Sequence, residues 1–150
     1  MQFESRNITE TLALGRRLAG LVRPSDVIAL RGSLGVGKTA FTGGLAEGLG
    51  VLEPVVSPTF VLMRRYDEGF IPLTHVDAYR LGSLGEFDDL DAFEEASGGV
   101  LVIEWGDAVA SMLPRDHLLV SITSTDESGR LIEFVPSGSW TDRPLQELSI

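Results

Sequence analysis

The sequence predicts a single α/β domain, and three stretches carry that reading. Val27-Ile-Ala-Leu30 is an unbroken apolar run of the kind shown by a strand buried on both faces. It is followed by a glycine-rich loop, and from that loop Ala40 to Leu49 can continue as a helix. Val100-Leu-Val-Ile103 is a second fully apolar strand. At 150 residues the chain has material for one hydrophobic core and too little for two.

Taken in order, residues 3 to 6 read as a short edge strand, and Thr9 is the predicted N-cap of a helix running through about Val22. Leu14, Leu18, Leu21 and Val22 recur at helical spacing, so one face packs while Arg16 and Arg17 stay in water. Pro24-Ser-Asp26 breaks this helix and leads into the first apolar strand. Beyond the loop and its helix, Val51 to Val56 has the composition of a brief strand and Val61 to Tyr66 is β-prone. Asp67-Glu-Gly69 is a turn, across which Ile71 to Tyr79 can pair back. Alternation in that arm puts His75, Asp77 and Tyr79 on one face and Val76 and Ala78 on the other.

Glu86 to Glu95 reads as a helix: Phe87, Leu90, Ala92 or Asp91, and Phe93 mark its period, and acids fill the remaining face. A solvated face explains those acids more simply than a docking surface does. Gly98-Gly99 ends the helix, and the second apolar strand then terminates in Glu104-Trp-Gly-Asp107. A short helix to Leu113 stops at Pro114, and Leu118 to Thr123 with Leu131 to Val135 form a hairpin across Asp126-Glu-Ser-Gly129. The tail from Ser137 is expected to be weakly structured.

The loop carries the chemistry. Gly-Ser-Leu-Gly-Val-Gly-Lys-Thr at 32 to 39 fits G-x-x-x-x-G-K-[ST] at every fixed position, between the strand and helix that the pattern requires. Glycines at 32, 35 and 37 allow backbone conformations closed to other residues and bring N–H groups close to a phosphate, while the new helix adds its positive end. The expected nucleotide-binding set is therefore Gly32, Ser33, Leu34, Gly35, Val36, Gly37, Lys38, Thr39 and Ala40, cradling the α- and β-phosphates. Lys38 is expected to reach the β- and γ-phosphates and the Thr39 hydroxyl to sit on Mg²⁺, an ion that keeps several waters and needs few protein oxygens. Lys38 is the chain's only lysine, so no other can act as phosphate ligand, general base or Schiff base.

Composition limits the partners. With 22 acidic against 12 basic residues the net charge is −10, which repels phosphate backbones and argues against autonomous nucleic-acid binding. Arg16-Arg17 and Arg64-Arg65 are doublets without interleaved aromatics. The absence of cysteine excludes disulfides, thiolate metal sites and a thiol nucleophile. The N-terminus lacks the apolar core of a signal peptide and no apolar run reaches spanning length, so a cytoplasmic protein with no membrane contact is expected.

A phosphate loop needs an acid at the end of a neighbouring strand to hold Mg²⁺ directly or through water, and often a second group that orients an attacking water. Glu104, after four apolar residues, and Asp77, at the end of a less apolar strand, both qualify as metal or catalytic carboxylates beside Lys38. The plainer alternatives for each are a helix cap and a surface ion pair. His75 admits two readings, a hydrogen-bonded structural residue or a member of the site. Trp105 either packs on a base or switch loop or is ordinary core. Thr59 lies in a Pro-containing loop where switch loops place a threonine that senses Mg²⁺ and the γ-phosphate.

The phosphate loop, Ser57-Pro-Thr-Phe60, His75-Val-Asp-Ala-Tyr-Arg-Leu81 and Ile103-Glu-Trp-Gly-Asp107 together resemble the TsaE family, the ATPase of bacterial tRNA threonylcarbamoyladenosine (t6A) synthesis. Order and spacing agree over roughly residues 5 to 136. The resemblance implies a P-loop NTPase-like domain with a mixed central sheet flanked by helices, and ATP hydrolysis with Mg²⁺ that stays weak until partners bind. It also implies action with TsaB and TsaD, to which tRNA contact can be left. Carried over by position, Lys38 and Thr39 serve phosphate and metal, and Asp77 and Glu104 belong to the metal or hydrolytic site. Thr59 belongs to the switch-like loop, and Trp105 stands beside them. The departures are confined to the tail after Pro136.

Two other classes compete. A small-molecule or nucleotide kinase also suits Gly35-Val-Gly-Lys-Thr39, but it needs a lid with arginines, and 81 to 99 contains none. A GTPase selecting guanine through Asn-Lys-x-Asp is excluded by the lack of a second lysine. A non-catalytic nucleotide sensor is not separable from a slow ATPase at this level.

Overall fold

The computed structural model describes residues 1–57, 62–78, 88, 91–104 and 107–150. In chain order the elements are β1 (Gln2–Ser5), α1 (Ile8–Leu18), a 3-10 turn at Ala19–Leu21, β2 (Val27–Arg31), α2 (Lys38–Gly48), β3 (Met63–Tyr66) and β4 (Leu73–Asp77). A helical turn at Ala92–Glu95, β5 (Val100–Glu104), a 3-10 helix at Asp107–Met112, β6 (His117–Ser124) and β7 (Arg130–Ser137) follow. They form one seven-stranded sheet in the order β1-β7-β6-β2-β5-β4-β3. The four inner strands β6, β2, β5 and β4 run parallel, while β7 and β1 on one side and β3 on the other pair antiparallel. The mixed α/β sheet is the architecture expected.

β2 is central because nothing in Val27 to Leu30 tolerates water: all four are buried. Its alternate residues serve two cores. Ile28 and Leu30 face the larger one, with Leu14, Leu18, Phe41 and Leu45 of α1 and α2. Val27 faces a smaller one with Val76, Ala92, Ala96, Leu101 and Ile103. α1 and α2 approach backbone to backbone. A Cβ on Gly44 would stand 1.9 Å from Leu12 O, and one on Gly15 2.3 Å from Phe41 O, so the pair closes only because both positions lack side chains.

Several expectations need correction. The N-cap of α1 is Asn7, whose side chain accepts from Glu10 N–H at 2.9 Å while Glu10 Oε2 accepts from Arg6 N–H at 2.7 Å. This reciprocal arrangement satisfies two free amides and moves Thr9 into the first turn. No strand forms across residues 51 to 56, since Pro54 withholds a ladder donor and β3 already pairs with β4. Of the expected helix from Glu86 to Glu95, Asp88 and Ala92–Glu95 are helical among the described residues, with Asp91 between them at φ +49, a left-handed value that interrupts a helix.

The tail is not loose. Two 3-10 turns, Gly138–Asp142 and Leu145–Glu147, bring Trp140 to complete burial. The Arg143 guanidinium lies 3.8 Å from the Trp140 ring centroid and grips Asp26 with both arms, at 2.5 and 2.7 Å. Asp26, just ahead of β2, also accepts from Arg23 N–H at 2.6 Å. The polar composition of the tail concealed a fork that matches a carboxylate 117 residues away.

Candidate functional site

The site grows from the end of β2. Gly32 sits where a Cβ would meet Ile122 O at 2.6 Å, so the chain leaves the sheet through a gap sized for hydrogen. Gly35 and Gly37 take φ of +76 and +116, which side chains resist, and the turn closes with Val36 N–H on Ser33 O at 3.2 Å. α2 then starts at Lys38, where Phe41 N–H bonds Gly37 O at 2.9 Å. Lys38 Nζ donates to Gly32 O at 2.7 Å and Ser33 O at 3.4 Å, so the ammonium ties the loop to itself. Thr42 Oγ1 donates to Lys38 O at 2.9 Å.

The acids arrive by strand periodicity. Leu73, His75 and Asp77 alternate along β4, and Val100, Val102 and Glu104 along β5. Leu73, Val100 and Val102 belong to the core under α1 and α2, so His75, Asp77 and Glu104 continue the same face toward the strand ends. In register Glu104 pairs with Leu30 on one side and Asp77 on the other. An apolar face thus turns polar where the glycine loop leaves β2, at the carboxyl ends of parallel strands. A cavity of ≈ 380 Å³ opens there, lined by Leu34, Gly35, Gly37, Lys38, Thr39 and Ala40 together with Asp77 and Glu104. Its size is that of a small-molecule site.

Glu104 is 6% exposed, with Oε1 3.5 Å from Thr39 Oγ1 and 3.3 Å from His75 Nε2. Burial pushes its carboxyl pKa up. The close contact and charge of His75, the Lys38 ammonium and the Thr39 hydroxyl pull the other way and prevail, holding it below the ordinary value. Glu104 is therefore ionised at neutral pH. His75 is completely buried, and among the described residues neither ring nitrogen has an aligned hydrogen-bond partner. Its position against Glu104 favours the site reading over a remote structural one.

The donor set fits a magnesium nucleotide. The start of an 11-residue helix lines a cleft that also holds a hydroxyl and an ionised carboxylate. Among the described residues no three His, Asp or Glu side chains form a metal cage, and Mg²⁺ held mainly by phosphates and water needs none. The structure thus brings Leu34, Gly35, Gly37, Lys38, Thr39, Ala40, Asp77 and Glu104 to one cleft, while Gly32, Ser33 and Val36 of the expected set do not line it. Thr59, Trp105 and Tyr79 lie outside the described residues. Ile8 and Ser57 also line the cleft. Ser57 opens the Ser57-Pro-Thr-Phe60 motif but stands outside the expected set, and Ile8, at the start of α1, carries no local signal.

Comparison with known proteins agrees with this geometry. The family model described as threonylcarbamoyl adenosine biosynthesis protein TsaE matches residues 5–132. The tRNA threonylcarbamoyladenosine biosynthesis protein TsaE of Bacillus subtilis is 36% identical over 99% of this chain and 94% of its own length. Those of Streptomyces coelicolor and Treponema pallidum are 50% and 42% identical, over 73% and 88% of this chain and 76% and 98% of theirs. The crystal structure of Bacillus subtilis YdiB superposes with a TM-score of 0.76 at 35% identity, over 92% of this chain and 86% of that one. A match that spans the phosphate loop and both acid-bearing strands, with relatives alike over 73% to 99% of this chain, settles the kinship: the chain belongs to the TsaE family.

Proposed function

We propose that this protein is a Mg²⁺-dependent ATPase, weakly active alone, that supports t6A modification of tRNA in the cytoplasm together with TsaB and TsaD. The observation that carries the reading is the meeting of Glu104 with Thr39 at the mouth of the glycine loop, with Lys38 beside them. The relatives named for threonylcarbamoyladenosine biosynthesis support the pathway. The net charge of −10 supports leaving tRNA contact to other subunits.

In this mechanism the amides from Leu34 to Thr39 bind the α- and β-phosphates. Lys38 exchanges the Gly32 and Ser33 carbonyls for β- and γ-phosphate oxygens, which costs little because the ammonium already lies along the loop. Thr39 and Glu104, with Asp77 beside them, would hold Mg²⁺ directly or through water. Bound there, the ion would supply positive charge against that developing on the transferring phosphoryl group. The acid not engaged by the metal would orient the attacking water.

The test measures ATP turnover by the protein alone and with TsaB and TsaD. Stimulated release of inorganic phosphate is expected. Transfer of phosphate to a metabolite, without stimulation, overturns the reading in favour of a kinase.

A further inference from the structure

Between Leu34 and Ala40, Val36 is turned away from the cleft. Its side chain is buried in the larger core, and its carbonyl accepts from Arg130 Nε at 2.7 Å. Ninety-four residues separate the two in sequence. In a trans peptide the C=O and the following N–H point in opposite directions, so a Val36 carbonyl held outward aims the Gly37 N–H inward, on the side that lines the cleft. The backbone does not enforce this by itself. Gly37, at φ +116, is free to rotate that peptide plane at little steric cost.

Arg130 is built to be rigid. It opens β7, paired with Ser124 of β6 on one side and Ser5 of β1 on the other. Its Nη1 donates to Gly129 O at 2.7 Å, to Ser124 Oγ at 3.2 Å and to Asp126 O at 3.3 Å. Asp126 Oδ1 in turn accepts from Gly129 N–H at 2.6 Å and Ser128 N–H at 3.0 Å, shaping the turn that presents the guanidinium. The guanidinium belongs to a separate cavity with Glu4, Ser5, Arg6 and the hairpin turn, outside the nucleotide cleft.

We propose that Arg130 is a positioning residue for nucleotide binding: by fixing the Val36 carbonyl it keeps the Gly37 amide directed at the phosphates. The inference rests on the nucleotide reading above and assigns a phosphate-directing role to a side chain that touches no phosphate.

Calorimetric titration with Mg-ADP and with pyrophosphate, which has no base or ribose, separates the possibilities. Arg130→Met is expected to weaken both about tenfold, the scale of one hydrogen bond made to a charged group. Arg130→Lys, which keeps the charge and one donor, is expected to fall between, and methylguanidinium to restore Arg130→Ala. Glu127→Ala, which alters the hairpin turn at a residue whose backbone carbonyl, not its side chain, meets Arg130, should leave both affinities unchanged. The Gly37 amide resonance of the nucleotide-free protein should shift in Arg130→Met and return toward its place in Arg130→Lys, which a hairpin defect alone would not produce. Wild-type affinity for both probes in Arg130→Met overturns the proposal, as does loss of ADP affinity with pyrophosphate unaffected. Wild-type protein that binds neither probe overturns the nucleotide reading itself.

Discussion

Glu104 Oε1 stands 3.5 Å from Thr39 Oγ1, across the join between β5 and the first turn of α2, although 65 residues separate them in the chain. The contact places an ionised carboxylate beside the hydroxyl of a phosphate loop. On the proposed reading, Glu104 and its register neighbour Asp77 have different duties. Glu104→Ala and Asp77→Ala are therefore expected to differ in kind, one raising the Mg²⁺ requirement of turnover about 10- to 100-fold and the other lowering turnover at saturating Mg²⁺. Magnesium titrations of the ATPase rate check this, and wild-type kinetics in either variant removes that residue from the site.

Acid should expose Glu104. Its folded-state pKa is lowered, so its contribution to stability is complete above the unfolded value near 4.5 and is lost as pH falls through the lower folded value. Urea unfolding from pH 6 to pH 3 is expected to show wild-type stability declining in that window. Glu104→Gln should lack this component and show a shallower decline, and an identical slope in both proteins counts against the assignment.

Lys38 has two tasks. It holds Gly32 O and Ser33 O, and on the proposed reading it then moves to phosphate. Lys38→Met is expected to weaken ADP binding by about 1.5–3 kcal/mol, roughly ten- to a hundredfold, the scale of a charged hydrogen bond. Lys38→Arg should not rescue it, because a planar guanidinium does not fit where a compact ammonium bridges two carbonyls. Calorimetry on the two variants decides between them.

The clamp between Arg143 and Asp26 anchors the tail against the start of β2. Arg143→Met leaves a buried carboxylate without its partner and is expected to cost about 3–5 kcal/mol. Arg143→Met with Asp26→Asn should be less destabilised than the sum of the two single changes. Denaturant unfolding of all four proteins measures the coupling, and strict additivity would show that the pair does not act together.

The loop from Gly32 to Thr39 was legible because every group in it is a chain neighbour, and the apolar runs at 27 to 30 and 100 to 103 mark strands that water cannot reach. Alternation of side chains is legible too, and it alone puts His75 and Asp77 on one face of β4. The tail was misread for a physical reason: a tryptophan among polar residues says nothing about the carboxylate that its neighbouring arginine will find. Thr9 was displaced as cap because a reciprocal pair at Asn7 and Glu10 satisfies two amides where a lone hydroxyl satisfies one.

By itself, the amino-acid order determined which segments become strand, loop and helix around the phosphate motif, since those choices depend on residues within a turn or two of one another. Tertiary structure decided what no local pattern encodes. Parallel register levels Leu30, Glu104 and Asp77, His75 and Lys38 pull Glu104 below its usual proton affinity against the upward push of burial, and Arg130 reaches back to the loop from the last hairpin. Each of these joins groups from separate strands, and the distance between such groups is set by how the layers pack.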